Sequence, residues 1–363
     1  MMVYRRVTLI LYLFSCAALI GSLMYMYSLK QDRSKASVKG APVHALDVHT
    51  VNASLSSSRN STVSAGSPAK KIEEISIDTR TGGSIAGGGI EKHMINLDSM
   101  TPEELFNRTA IVTAISQNHL RESKGMIGSI QEVLPHRKII MFDLGLTPQG
   151  VKEVKRLCNV ELRTFNFAKH PPHVRDLHTY AWKPLIIQDM LDEFGVVFWC
   201  DSSARLRKDP LVLFPILKEH KGFMAIVEQY KSTNMLARTH PKMFDELGID
   251  KEKFTKDDGY AMCMEGNRLL FVNTDLVQTN IMKPWLDCAL RRECIAPAGS
   301  SLPVNLKGPV RFTHRFDQAA LALIVYKNLR GVMYEGNDQS KLFFDVVGLT
   351  RSPQGLEKAK FCK

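Results

Sequence analysis

Short apolar runs separated by helical periods constrain this chain more than any other feature of its sequence. "TAIVTAI" (109–115), "RKIIMFDLG" (137–145) and "VELRTFNF" (160–167) have the length and composition of strands. Helical patterns lie between them, near 121–134 and in "TPQGVKEVKRL" (147–157). This alternation predicts an α/β domain, a mixed sheet flanked by helices. "HTYAWKPLIIQDMLDEFG" continues it: Pro184 suits a first helical turn, Ile187, Met190, Leu191 and Phe194 repeat every three or four residues, and Gly195 suits the cap. The next run, "GVVFWCDSSARL" (195–206), is a core strand that stops at Asp201, Ser202 and Ser203. "GFMAIVEQ" (222–229) and "RLLFVNTD" (268–275) are two further strand candidates, and "DQAALALIVYKNL" (317–329) is an apolar helix.

The stretch from Val7 to Leu29 carries no charge over 23 residues. As a helix it would reach about 35 Å, enough to cross a hydrocarbon core of roughly 30 Å. A cleaved signal peptide would have a shorter apolar region and a small-x-small end, so a single membrane anchor is the better reading. Flanking charge does not orient it, because Arg5 and Arg6 precede the span while Lys30, Arg33 and Lys35 follow. Three glycosylation sequons at Asn52, Asn60 and Asn107 all lie after the span and favour a luminal C-terminal portion. The expected layout is a cytoplasmic tail (1–6), an anchor (7–29), a flexible stem rich in Ser, Gly, Ala and Thr (30–100) and a folded domain (101–363). Six cysteines follow the span; Cys288 and Cys294 are the best local candidates for a disulfide, and Cys200 reads as a buried thiol in its strand.

Net charge is +11, with 11 Lys and Arg against 6 Asp and Glu up to His93 and 37 against 31 beyond it. The domain is only mildly basic and has no basic stripe interleaved with aromatics, which argues against nucleic-acid binding. His170 and His173 sit in a Pro-containing loop without the partner spacing of a zinc site.

In open α/β sheets, ligands bind at the carboxyl ends of strands near the point where strand order reverses. Asp201 is placed at such an end, and an extended stretch would direct Ser203 to the same side. A carboxylate and a hydroxyl are hard oxygen donors that suit Mg²⁺ or Mn²⁺, completed by water and diphosphate oxygens. The plainer reading of both is a strand terminus and turn.

Anchor, stem, α/β domain and an acid after the fourth strand resemble the Golgi type II glycosyltransferases of the GT-A fold, a Rossmann-like architecture. Those enzymes carry Asp-x-Asp where this chain has Asp201-Ser202-Ser203, so the second acid is replaced. "HRFDQAALALIVYKN" is similar to the segment with an Asp-Gln pair that opens a late helix in several GT-A families. "AWKP", "CDSSARL", "KPWLDCALRRECIAP" and "HRFDQ", in that order, also resemble an animal family of glycosyltransferase-like type II membrane proteins. The resemblance implies transfer of a sugar from a nucleotide-diphosphate sugar to a hydroxyl of a glycan, protein or lipid, with a divalent cation against the departing diphosphate. It implies Asp201, Ser203 and His314 as metal ligands, Lys183 and Arg205 as phosphate contacts beside Asp201 and Ser203, and Asp317 or Glu265 as the acid or base of an inverting reaction. It also implies a Golgi or ER membrane location with the catalytic domain luminal. Each residue has a structural rival: Lys183 a solvated lysine, Arg205 a surface pair with Asp209, Asp317 a helix-dipole partner, His314 a packed histidine, and Trp182 and Trp285 core or cleft-wall aromatics. The alternative for the whole chain is a luminal glycan- or partner-binding protein on a degenerate transferase fold.

Overall fold

A computed structural model of the chain describes residues 93–228, 235–258, 263–300, 314–333, 338–350 and 359–362. The expected anchor, Asn52, Asn60 and the stem as far as residue 92 lie outside the described residues. Among the described residues, no helix is long and apolar enough to cross a membrane.

Six strands form one sheet in the order β3-β2-β1-β4-β7-β6: β1 (Ala110–Ile115), β2 (Ile139–Asp143), β3 (Val160–Thr164), β4 (Val196–Cys200), β6 (Phe223–Glu228) and β7 (Cys263–Val272). Strands β1 to β4 run parallel, and β7 is antiparallel to both of its neighbours. The chain builds outward from β1 to β3 and then returns to place β4 on the other side of β1. The carboxyl ends of β1 and β4 therefore flank the topological switch point. A short ladder of β5 (Ala204–Leu206) with β8 (Val347–Leu349) completes the strands described; neither is evident from the sequence pattern.

The apolar runs are continuous because the sheet is covered on both faces. Val197 and Trp199 of β4 point into one core, with the helix Trp182–Phe194 and the helix Phe316–Met333. Val196, Phe198 and Cys200 point into the other, with the helix Leu120–Val133.

The fold reaches back beyond the expected boundary at Thr101. Ile95 is buried, and its N–H donates to the Asn273 carbonyl at 2.8 Å. Gly195 caps the helix Trp182–Phe194 at φ 78°, and an added Cβ would stand 2.8 Å from the Ile95 side chain. Glycine thus serves both the left-handed turn and the passage of the incoming chain. Strand β7 starts five residues ahead of the expected Arg268, and its register with β6 shifts between Ala225 and Val227. Residues 265–268, including Gly266, thereby bulge out of the ladder with β6, while Arg268 keeps its pairing with Cys200 of β4.

Disulfides join Cys288 to Cys294 and Cys158 to Cys362, while Cys200 is a buried free thiol whose pKa is raised by burial. Asn107 is exposed at the end of the helix Pro102–Arg108, so its sequon is accessible.

Candidate functional site

A cleft of about 590 Å³ opens at the switch point. Its lining comes from segments far apart in the sequence: Gln117 and His119 after β1, Gly145 after β2, Tyr180, Trp182 and Lys183, Asp201 to Ser203, Gly266 in the bulge, and Arg315, Asp317 and Gln318. Four non-glycine residues among those described have positive φ, and two of them, Tyr180 (53°) and Phe316 (40°), lie beside this cleft in sequence or space. Aromatic residues rarely adopt that backbone, and strain of this kind gathers where the surrounding structure fixes a functional geometry.

At the floor lies Lys183, 2% exposed, in the first turn of its helix. Its ammonium donates to the Gly266 carbonyl at 2.9 Å and lies 3.1 Å from Asp317 Oδ2 and 3.3 Å from Asp201 Oδ1. Rings of Tyr180 and Trp199 stand 5.4 and 5.5 Å from the same nitrogen, close enough for cation–π attraction. Burial alone would lower the pKa of this lysine, but Asp201 and Asp317 outweigh it and hold the pKa above the ordinary value. The expectation of a solvated lysine fails, since the amino group is enclosed and faces three oxygens at the cleft floor.

Asp201 is fixed from two sides. Trp199 Nε1, two residues back on the same strand face, donates to Oδ1 at 2.7 Å, and Lys183 faces the same oxygen. The chain then turns instead of extending: the Ala204 N–H donates to the Asp201 carbonyl at 2.9 Å. Ser203 still borders the cleft, and the Ser202 hydroxyl donates to Glu122 at 2.6 Å, tying the turn to the helix Leu120–Val133. Asp317 is 4% exposed, and burial pushes its carboxyl up to about 6 against the opposing pull of Lys183. Trp285 Nε1 holds the Asp317 carbonyl at 3.1 Å.

Three expected site residues are employed elsewhere. Arg205 is buried with its guanidinium on the carbonyls of Ser202, Ala204 and Glu122, and it does not line the cleft. Glu265 forms a buried ion pair with Arg268 and lies outside the cleft lining. His314 is fully buried: Nδ1 accepts from the His240 N–H at 3.1 Å, Nε2 donates to the Ile295 carbonyl at 3.0 Å, and burial pushes its pKa down to about 4. With both ring nitrogens taken, it is not a metal ligand in this arrangement. Arg315, expected beside this cleft as a neighbour of Asp317, and Gln318 of the Asp-Gln pair both line it, whereas Glu122 and Tyr180 are lining residues that sequence reasoning missed and that carried no signal.

The donors present do not build a resident divalent site. Among the described residues, no three His, Cys, Asp or Glu side chains converge on a metal position. Asp201 has one oxygen left for a ligand, Ser203 offers a hydroxyl, and a fixed ammonium already stands beside them.

A family described as a protein of unknown function, DUF1647, matches residues 89–188. No curated protein matches the chain. Among solved structures, the chain is similar to mouse xyloside xylosyltransferase 1 in its apo form, at 9% identity and a TM-score of 0.38 over 62% of this chain and 83% of that one. It is similar to core-mannan synthase A of Aspergillus fumigatus in its Mn/GDP form, at 9% identity and a TM-score of 0.37 over 68% of this chain and 76% of that one. An active-site mutant of LgtC is matched at 16% identity and a TM-score of 0.32 over 49% of this chain; the chain spans less than two thirds, 62%, of the LgtC length.

Proposed function

We propose that the chain is a single-pass type II membrane glycosyltransferase of the Golgi or ER, with a luminal GT-A-like domain that takes a sugar from a nucleotide-diphosphate sugar to an acceptor hydroxyl. The observation that supports this reading best is the convergence of Lys183, Asp201 and the Asp317-Gln318 pair in one cleft at the switch point. These belong to three of the motifs whose order resembles glycosyltransferases, and the Asp317-Gln318 pair lies more than a hundred residues of chain beyond Lys183 and Asp201. Accessible Asn107 and the two disulfides accord with an oxidising lumen.

The chemistry assigns Asp317 as general base. Its carboxylate takes the proton of the acceptor hydroxyl as that oxygen attacks the anomeric carbon and the nucleoside diphosphate departs. Asp201, aimed by Trp199 and Lys183, binds donor hydroxyls, and Arg315, a cationic side chain that lines the cleft, faces the charge of the departing phosphate.

The test is a panel of nucleotide sugars offered to the full-length protein in detergent, with and without Mn²⁺, read by thermal shift and by donor hydrolysis. At least one donor should stabilise and be turned over, and Asp201→Ala should lose that stabilisation while remaining folded. If no donor binds, the reading passes to a luminal glycan-binding protein. That second reading draws on Ser203 in place of an acid and on the engagement of His314.

A further inference from the structure

Three oxygens converge on one point in the floor of the cleft: the Gly266 carbonyl at 2.9 Å, Asp317 Oδ2 at 3.1 Å and Asp201 Oδ1 at 3.3 Å from Lys183 Nζ. Two carboxylates and a carbonyl are the donor set that a hard divalent cation takes. Asp317 Oδ2 receives no well-aligned hydrogen bond, so its charge is offset chiefly by the ammonium beside it. The bulge in β7 brings the Gly266 carbonyl to this point. A Cβ at position 266 would stand 3.4 Å from the Gln318 side chain and 3.5 Å from Asp317 Oδ2, ordinary contact distances that show how closely this backbone lies against the Asp317-Gln318 pair.

We propose that the Lys183 ammonium is the site's built-in cation, occupying the position of a divalent ion, and that the cleft takes its anionic ligand without metal. Resting on the glycosyltransferase reading, this explains why the acid expected at Ser203 and a histidine ligand at His314 are both missing. A site whose cation is covalently attached has no need of them. A lysine ammonium is a compact point charge that suits an oxygen cage, and the two acids beside it keep it charged against the opposing effect of burial. Lys183 is a positioning residue here, since its donors face Asp201, Asp317 and Gly266. Cationic contact with the ligand is left to the rim, where Arg315, His119 and His178 border the opening.

The experiment uses Mn²⁺ alone, followed by electron paramagnetic resonance, with full-length protein in detergent. Wild type should leave the free-ion spectrum at full intensity. Lys183→Ala, which vacates the three-oxygen cage, should remove one equivalent of Mn²⁺ per chain, and Lys183→Ala/Asp317→Asn should remove none. Circular dichroism establishes that each variant is folded. Stoichiometric Mn²⁺ binding by wild type would overturn the proposal whether or not the variants fold, and so would a folded Lys183→Ala that binds no ion. In a second arm, UDP and GDP are titrated in EDTA and in Mn²⁺. Equal affinity in both supports the proposal and binding only with Mn²⁺ overturns it. Failure of every nucleotide in both conditions counts against the glycosyltransferase reading instead, and the Mn²⁺ arm still decides the role of Lys183.

Discussion

Asp317 Oδ2 lies 3.1 Å from the Lys183 ammonium, and both side chains are almost wholly enclosed. Burial places the Asp317 carboxyl at about 6 against an ordinary 3.8, so the folded chain binds more protons than the unfolded chain between those values. The sign follows: this group's contribution is greatest below about pH 4 and is lost as pH rises through 6, by roughly 3 kcal/mol in all. Asp317→Asn should flatten that part of the stability curve, measured by urea unfolding at a series of pH values. Sugar transfer should run the other way, rising through about pH 6 as the base ionises. A wild-type stability curve parallel to that of Asp317→Asn would refute the assignment.

Glu265 gives the opposite expectation. It pairs with Arg268, whose side chain is fully buried, and Arg268 also reaches the Val347 carbonyl of β8. Removing one partner of a buried ion pair leaves a charge uncompensated, at a cost of about 3–5 kcal/mol. Glu265→Gln should therefore lower the melting temperature markedly while leaving nucleotide affinity of the folded fraction unchanged. A loss of affinity without a loss of stability would return Glu265 to the site.

The contrast between Asp317 and Glu265 marks how far sequence reading reaches. Strands β1, β2 and β4 were legible because both faces are buried, so each shows as a largely apolar run ended by a turn, whereas the edge strand β3, VELRT, is only half-buried and shows alternating apolar and polar residues. Asp201 was legible because a carboxylate following Trp199 breaks that run abruptly. What decides the role of a polar side chain is its partner, and partners are set by the fold. Glu265 and Arg268 are neighbours in sequence, but only the bulge at 265–268 turns them inward as a pair. His314 finds Ile295 and His240 across the structure, and Lys183 meets the Gly266 carbonyl 83 residues away. Strand β5, three residues long, offers too short a pattern to be seen.

Arg205 and Gly125 show the same dependence in a form that a single methyl group tests. A Cβ at Gly125 would stand 2.4 Å from the Arg205 guanidinium, which is held by three backbone carbonyls. Glycine in the middle of the helix Leu120–Val133 costs about 1 kcal/mol of helix propensity relative to alanine. Were propensity dominant, Gly125→Ala would stabilise. Displacing a buried guanidinium from its carbonyls outweighs that gain, so Gly125→Ala should lower the midpoint of denaturant unfolding. Gly125→Ala/Arg205→Ala should recover much of the loss, since the double substitution removes both the clash and the buried charge.

Cys158–Cys362 closes a loop across a sequence separation of 204 residues and pins the last residues of the chain beside the start of β3. The pinned segment also bonds through its backbone: Cys158 N–H donates to the Lys360 carbonyl and Cys362 N–H to the Arg156 carbonyl, both at 2.9 Å. Gln131 clamps the same segment, accepting from the Lys360 N–H at 2.6 Å. A crosslink over a loop of this length contributes roughly 2–5 kcal/mol, largely by restricting the unfolded chain. Cys158→Ser/Cys362→Ser should therefore lower the melting temperature. The crosslink lies at the amino end of β3, whereas the cleft opens at the carboxyl ends of β1 and β4, so ligand affinity at the cleft should persist in the folded variant. Melting curves with and without reductant, paired with nucleotide titration at a temperature where the variant is folded, separate the two effects. Equal melting temperatures for wild type and variant under oxidising conditions would show that the backbone ladder and Gln131 alone hold the terminus.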